Sequence, residues 1–171
     1  MLTALDLSAE ALNPREKRFV ANVREHGWFG TSVFGDAAGP GFSSTTGFWL
    51  KFGQPELVLF GLKGDIAHDI FWDVCRDLEK GRPLPVGTAT ERVFGNAPAY
   101  VFPVAKRFYG EYVGSSRWFY RGDHFPCLQV VWPDRADLFP WDDGFDPEFG
   151  NDQPDLTEKG WRAALDEAQP T

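Results

Sequence analysis

Two short runs of apolar residues constrain the fold of this chain more than any other feature. Glu56–Leu62 follows Pro55 and is almost continuously apolar, and Cys127–Trp132 is interrupted only by Gln129. Apolar runs of this length, without alternation of polar residues, are typical of strands that are buried on both faces in the middle of a sheet. We therefore predict a central sheet that is covered by helices.

Three segments carry the signature of a longer helix. The first is predicted from Pro14 to His26, because Asn13 and Glu16 can form a capping box and Gly27 can end the helix. The second is predicted to begin at an Asp65 cap and to face the core through residues spaced by four: Ile66, Ile70, Val74 and Leu78. A closing helix is predicted over Asp155–Ala168, and a further, interrupted helix is indicated by Phe108, Tyr112 and Phe119.

The remaining strands are predicted from β-forming residues between turn signals. Trp28–Phe34 and Phe42–Leu50 should form a hairpin around a Gly- and Pro-rich loop, and Arg92–Phe94 is a candidate short strand. Ala99–Val104 should form an edge strand, because Pro103 has no N–H to donate to a neighbouring strand.

Helices and strands alternate irregularly, which favours the α+β class over a doubly wound parallel sheet. With 171 residues, 43% of them hydrophobic, the chain has the size and apolar content of one compact domain. We expect a single domain over 13–155, with a central, mostly antiparallel sheet flanked by three to four helices. Residues 1–12 are expected to be a flexible lead, and 156–171 a C-terminal helix and tail.

The charge of the chain is concentrated near its C-terminus. Residues 134–167 contain eleven Asp or Glu and three Lys or Arg, and so carry the whole net charge of −8. This balance disfavours nucleic acid and anionic membranes as partners, and it suits a basic protein partner. The N-terminus lacks a secretory signal pattern, and no apolar stretch is long enough for a transmembrane helix, so we expect a cytoplasmic protein.

Several fragments together resemble a known family. They occur in order between Glu25 and Asp142, and they are His26-Gly27-Trp28, Gly39-Pro40-Gly41-Phe42, Thr45–Trp49, Phe52–Leu57, Phe60-Gly61-Leu62, Leu128–Asp134 and Phe139-Pro140-Trp141. Their spacing is similar to that of the bacterial family of domain of unknown function 4262. The resemblance implies a compact bacterial domain and carries no activity. The chain departs from the family pattern at Ser44, where an aromatic hydroxyl residue often stands, and at Gln54, where a histidine often stands.

Residues with catalytic or metal-binding chemistry are sparse. The three histidines have no metal-ligand spacing and Cys-x-x-Cys is absent, so no metal site is predicted. Cys75 and Cys127 are expected to be buried free thiols. His26 is the candidate catalytic residue, because it opens the recognisable pattern and lies at the end of a predicted helix.

A run of hydroxyl residues, Ser43–Thr46, is the basis of an enzyme hypothesis. Such a run can hold a phosphate, and together with Trp49 as a stacking wall it could form an FMN pocket near His26. Ser44 and Thr45 are the candidate ligand-binding residues of this pocket. The alternative explanation is the ordinary preference of threonine for strands, in which case no cofactor is expected.

Tryptophan and acidic residues support a hypothesis of a different class. The chain has seven tryptophans, more than a core of this size normally needs, and Trp132 and Trp141 each lie beside carboxylates such as Asp134. An aromatic, acidic surface suits an amine-bearing ligand or a basic protein. A partner- or ligand-binding module is therefore the favoured function, and a small, flavin-dependent enzyme is the alternative. The sequence leaves the oligomeric state open.

Overall fold

The fold is a five-stranded mixed sheet with helices on both faces, described for residues 1–169 of a computed structural model. The strands are β1 (Phe29–Val33), β2 (Phe42–Thr46), β3 (Glu56–Phe60), β4 (Tyr100–Pro103) and β5 (Cys127–Val131). The helices are α1 (Pro14–His26), α2 (Phe48–Phe52), α3 (Gly64–Glu79), α4 (Tyr109–Tyr112), α5 (Gly114–Tyr120) and α6 (Trp161–Ala168). Short 3-10 turns occupy Ala4–Asp6, Ala9–Ala11, Lys106–Phe108 and Pro147–Phe149.

The strand order is β1-β2-β3-β5-β4, and three of its four pairings are antiparallel. The exception is β3 with β5, which are parallel, so the carboxyl ends of both strands point to the same side of the molecule. This confirms the α+β class and the mostly antiparallel sheet. Pro103 lies on the edge strand β4, as predicted.

The two apolar runs form the buried centre of the sheet. All five residues of β3 and of β5 are buried. Alternate residues of β3 face opposite layers: Val58 and Phe60 pack with α1 and α5, whereas Leu57 and Leu59 pack with α3. A smaller third cluster around Phe102 and Phe139 packs against α6.

Helix α1 has the predicted bounds and caps. Asn13 Oδ1 accepts from Glu16 N and Glu16 Oε2 accepts from Asn13 N, both at 2.9 Å, and Gly27 ends the helix in the left-handed region. The residues before α1, expected to be a flexible lead, form two 3-10 turns, and Ala4 is completely buried.

Several local predictions were wrong. Phe48–Leu50 belongs to helix α2 rather than to the second hairpin strand, and Arg92–Phe94 lies in a turn. Helix α3 begins at Gly64 without a side-chain cap, since the Asp65 carboxylate accepts only from the adjacent Ile66 N. Ile66 is 47% exposed rather than in the core, because it lines an open groove on the surface of the protein.

The closing helix is also shorter than predicted. It starts at Trp161, because Asp155 folds back into a loop in which its carboxylate accepts from Thr157 N and Trp161 N at 2.9 Å each. In residues 1–169, no helix combines the length and hydropathy that crossing a bilayer requires.

Candidate functional site

An open groove of about 420 Å³ lies between α3, the turn before β4 and the end of β5. Its floor is apolar and aromatic, and one wall carries two carboxylates. The residues that define it are Ile70, Val93, Phe94, Trp132, Asp69 and Asp73. We call it the Trp132 groove.

One face of α3 supplies the acidic wall. Ile66, Asp69, Ile70 and Asp73 are spaced i, i+3, i+4 and i+7, so they share one side of the helix. Ile70 is 8% exposed and anchors this face to the core, while the two carboxylates stay in contact with solvent. The wall is therefore held rigidly by the same helix that covers the sheet.

Trp132 forms the opposite side of the groove, immediately after β5. Its indole N–H donates to Phe60 O at 2.8 Å, and its backbone N–H and C=O both bond the side-chain amide of Gln153 at 2.9 Å. The ring orientation is thus fixed, and the indole N–H is already used. What the partly exposed ring offers to a ligand is its π face.

The turn that contains Val93 and Phe94 completes the groove. Thr90 and Ala99 exchange two backbone hydrogen bonds of 2.9 Å at its base, and the Arg92 guanidinium donates to Pro83 O at 2.6 Å. Val93 is buried, whereas Phe94 is partly exposed. The turn is tied at both ends although it has no regular secondary structure.

The electrostatics of the groove favour a cation. Among residues 1–169, no Lys, Arg or His lines it. Asp73 is paired with Arg76 on the outer side at 2.6 Å, and Asp69 has no ion-pair partner within residues 1–169. A π face, apolar walls, the unpaired Asp69 carboxylate and the Asp73 carboxylate shared with Arg76 together suit an alkylammonium or alkylguanidinium group.

Of the acidic and aromatic residues singled out from the sequence, the structure brings only Trp132 into this groove. Asp134 is 7% exposed, and its carboxylate accepts from the backbone N–H groups of Ala136, Leu138 and Asp146 at 2.9 to 3.0 Å. Burial acts to raise the pKa of Asp134, but these three donors outweigh it and hold the pKa below its usual value. Asp134 thus organises the loop after β5.

Trp141 lies in a separate aromatic cluster on the β4 side of the sheet. Its ring stacks on Phe139 with centroids 5.0 Å apart and meets Tyr100 and Trp161 edge-on. It packs α6 and its preceding loop against the sheet.

The residues of the enzyme hypothesis do not converge on one cavity. His26 is exposed at the end of α1, 3.7 Å from the Glu25 carboxylate, and packs edge-on against Trp72. Ser44 and Thr45 are buried in β2, and Trp49 lies in α2 and packs on the α1 side of the core. The four hydroxyls from Ser43 to Thr46 each bond a partner in the chain, respectively Ser32, Thr31, Glu56 and Ser116.

Glu56, which in the sequence is only the first residue of an apolar run, is the centre of a buried polar network. Its side chain is completely buried at the start of β3, where it takes the place of a cap for the N-terminus of α2. Its two carboxylate oxygens accept from five donors, which are Thr45 Oγ1 at 2.7 Å, Gly47 N at 2.8 Å, Trp49 N at 3.0 Å, Phe48 N at 3.3 Å and the Tyr120 hydroxyl.

Desolvation is the largest influence on this network, and it raises the pKa of Glu56 although the hydrogen bonds oppose it. Burial also raises the pKa of Tyr120, and the negative charge of Glu56 raises it further. The carboxylate is shielded from solvent, since Glu56 is 0% exposed. The network therefore positions α2 and joins β2, β3 and α5. The signal in the sequence was a glutamate at the first position of a strand predicted to be buried on both faces.

Among residues 1–169, no three His, Cys, Asp or Glu side chains come together in a way that could hold a metal ion. Comparison with known proteins gives one match, to a family model described as domain of unknown function (DUF4262), over residues 22–146. No curated protein and no solved structure matches the chain. The matched region contains β1 to β5 and every residue that lines the Trp132 groove. Because the match covers well over half of the 171 residues, the chain belongs to the DUF4262 family.

Proposed function

We propose that this protein is a binding module whose Trp132 groove holds an alkylammonium or alkylguanidinium group of a ligand or basic protein partner. One observation carries the proposal: the groove combines a fixed indole face and apolar walls with Asp69 and Asp73, and none of its lining residues in the described part of the chain is basic. A lysine or arginine side chain, or a free amine of similar length, matches both halves of this surface.

The charge of the chain supports a basic partner. A net charge of −8 attracts cations over distances of about a Debye length, roughly 10 Å at 0.1 M salt, and so steers them to the surface. The acidic residues after β5 contribute to this field even where, like Asp134, they are used inside a loop. Specific recognition would depend on the groove itself.

A simple amine tests the chemistry without knowledge of the natural ligand. Hexylamine has a cationic head and an apolar stem, and hexanol is its uncharged counterpart. Burial of four to six methylene groups at about 0.8 kcal/mol each contributes about 3–5 kcal/mol, which alone would correspond to a Kd of about 1 mM. The cost of association acts against this contribution, so we expect a millimolar or weaker Kd for hexylamine. Isothermal titration or amide NMR shifts would measure both ligands.

Variants separate the two halves of the groove. D69N/D73N should weaken hexylamine about 3- to 30-fold and leave hexanol unchanged, whereas W132F should weaken both. D143N/D166N removes the same charge from exposed carboxylates outside the groove and serves as the control. Equal affinities for hexylamine and hexanol, or equal losses in the two double variants, would contradict the proposal.

No observation favours the flavin-dependent alternative in the same way. The Ser43 and Ser44 hydroxyls on which that hypothesis depends are bonded within the sheet, and His26 lines neither of the two clefts that Ser43 lines.

A further inference from the structure

The two edge strands of the sheet, β1 and β4, differ in how their outer backbone groups are protected. On β4, Val101 O accepts from Gly87 N at 2.9 Å, and Pro103 has no N–H to offer. On β1, none of the five residues bonds a backbone group other than those of β2 within residues 1–169, and none is charged or proline. Natural proteins normally protect an open edge with charge, proline or a covering segment. The β1 edge has none of these.

The side chains at the open end of β1 are apolar and exposed. Val33 is 51% exposed and the following Phe34 is 96% exposed, the most exposed large apolar side chain of residues 1–169. The first half of the strand is different, since Phe29 is partly covered by Phe19 of α1 at a centroid distance of 4.8 Å. One half of β1 is thus covered on the α1 face and the other half is bare.

We propose that β1 pairs antiparallel with β1 of a second copy of this chain, about a twofold axis at Thr31. This register places Phe29 of each copy opposite Val33 of the other, and Gly30 opposite Ser32, because residues whose numbers sum to 62 face each other. The bare half of each strand then lies against the covered half of its partner. The sequence of β1 is self-complementary in this register, as an isologous interface requires.

The same register accounts for Phe34. It lies opposite Trp28 of the partner, on the sheet face that α3 covers. There the Trp28 ring packs against the rings of Trp72 and His68, at centroid distances of 5.0 and 5.3 Å. Both His68 and Phe34 are exposed in the single chain. Trp28 itself is only 2% exposed, so the surface that pairing offers to Phe34 is the exposed His68 and the partly exposed Trp72 of the same cluster. Pairing also extends the sheet to ten strands. This inference is independent of the Trp132 groove, which β1 does not line.

Sedimentation equilibrium at 0.15 M and 0.5 M NaCl tests the pairing, and we expect a dimer that is stronger at high salt, because each copy carries −8. T31K should give a monomer, since it places two lysines opposite each other. V86K adds the same charge at an exposed valine outside β1, and it should remain dimeric. F34S alters only an exposed side chain, so this variant should keep the wild-type fold. It should weaken the dimer about 10- to 100-fold.

A cysteine at the axis tests the register. T31C should form an intermolecular disulfide under mild oxidation, because opposite Cα atoms of an antiparallel pair lie about 4.5–5.5 Å apart, within the range of about 4.4–6.8 Å that a disulfide spans. The two native cysteines are buried, so they do not compete. A monomer at all concentrations would overturn the proposal, and so would a dimer that T31K and F34S leave intact or that T31C does not cross-link.

Discussion

Replacing Glu56 by glutamine should lower the free energy of unfolding by about 1–3 kcal/mol, although glutamine has nearly the same shape. The least costly amide orientation puts the NH₂ group at the position of Oε2. Thr45 Oγ1 can then turn and accept a hydrogen bond, but Phe48 N, which donates to Oε2 at 3.3 Å, loses its acceptor. A buried donor left without a partner costs about 1–3 kcal/mol.

Alanine at the same position should be far more damaging. It removes the acceptor of four donors, which are Phe48 N, Trp49 N and the hydroxyls of Thr45 and Tyr120, while Gly47 N keeps the Tyr120 oxygen as an acceptor at 3.2 Å. At about 1–3 kcal/mol for each donor, the loss is roughly 4–12 kcal/mol. That range is comparable with the whole stability of a typical domain, about 5–15 kcal/mol, so E56A should fail to fold or be marginal. Urea unfolding, with E25Q at an exposed site as control, measures both variants. An E56Q variant within about 0.5 kcal/mol of wild type, or a stable E56A, would refute the reasoning.

The pH dependence gives an independent check. Burial raises the pKa of Glu56 above its ordinary value of 4.5, so the folded chain binds this proton more tightly than the unfolded chain does. The resulting stabilisation is complete below pH 4.5 and is lost as the pH rises through the folded pKa. E56Q lacks this contribution. The stability difference between wild type and E56Q should therefore narrow from pH 4.5 to pH 8, and a difference that widens would show that the carboxylate is better stabilised when ionised.

Two further predictions concern the same part of the core. G47A should destabilise the fold by at least about 3 kcal/mol in urea unfolding, because Gly47 has φ +123° and an added Cβ would lie 2.3 Å from Gly27 O; G53A, at φ +65° with open space, should cost only about 1–2 kcal/mol, and equal losses would contradict the account. Cys75 and Cys127 are buried with raised pKa values, so neither should react with a thiol reagent at pH 8 until the protein unfolds, and rapid labelling of the native protein would show that a thiol is accessible.

The parts of the fold that depend on neighbouring residues were predictable from the sequence. Helix α1 follows from a capping box and a terminal glycine within one short segment, and β3 follows from its uninterrupted apolar run. Helix α2 was missed because its N-terminus is capped by Glu56, which follows it in the chain and reaches it only through the fold. The residues of α2 include several aromatic side chains, which are common in strands, so the local pattern predicts a strand.

The groove was predictable only in its chemistry. Trp132 was singled out as an aromatic residue in an acidic setting, and the structure places it opposite Asp69 and Asp73. The i, i+4 spacing of these two aspartates was visible in the sequence. The proximity of these aspartates to Trp132 was not visible in the sequence. It depends on the parallel pairing of β3 with β5, because of which the carboxyl ends of both strands point to the same side of the molecule.

The most direct test of the proposed function is the position of a bound amine. Intermolecular nuclear Overhauser effects between the methylene protons of hexylamine and the protein should appear at Trp132, Phe94 and Ile70, and they should weaken in D69N/D73N. Contacts confined to other residues, or none at a hexylamine concentration well above 1 mM, would show that the Trp132 groove does not recognise an alkylammonium group and would remove the basis of the proposed binding module.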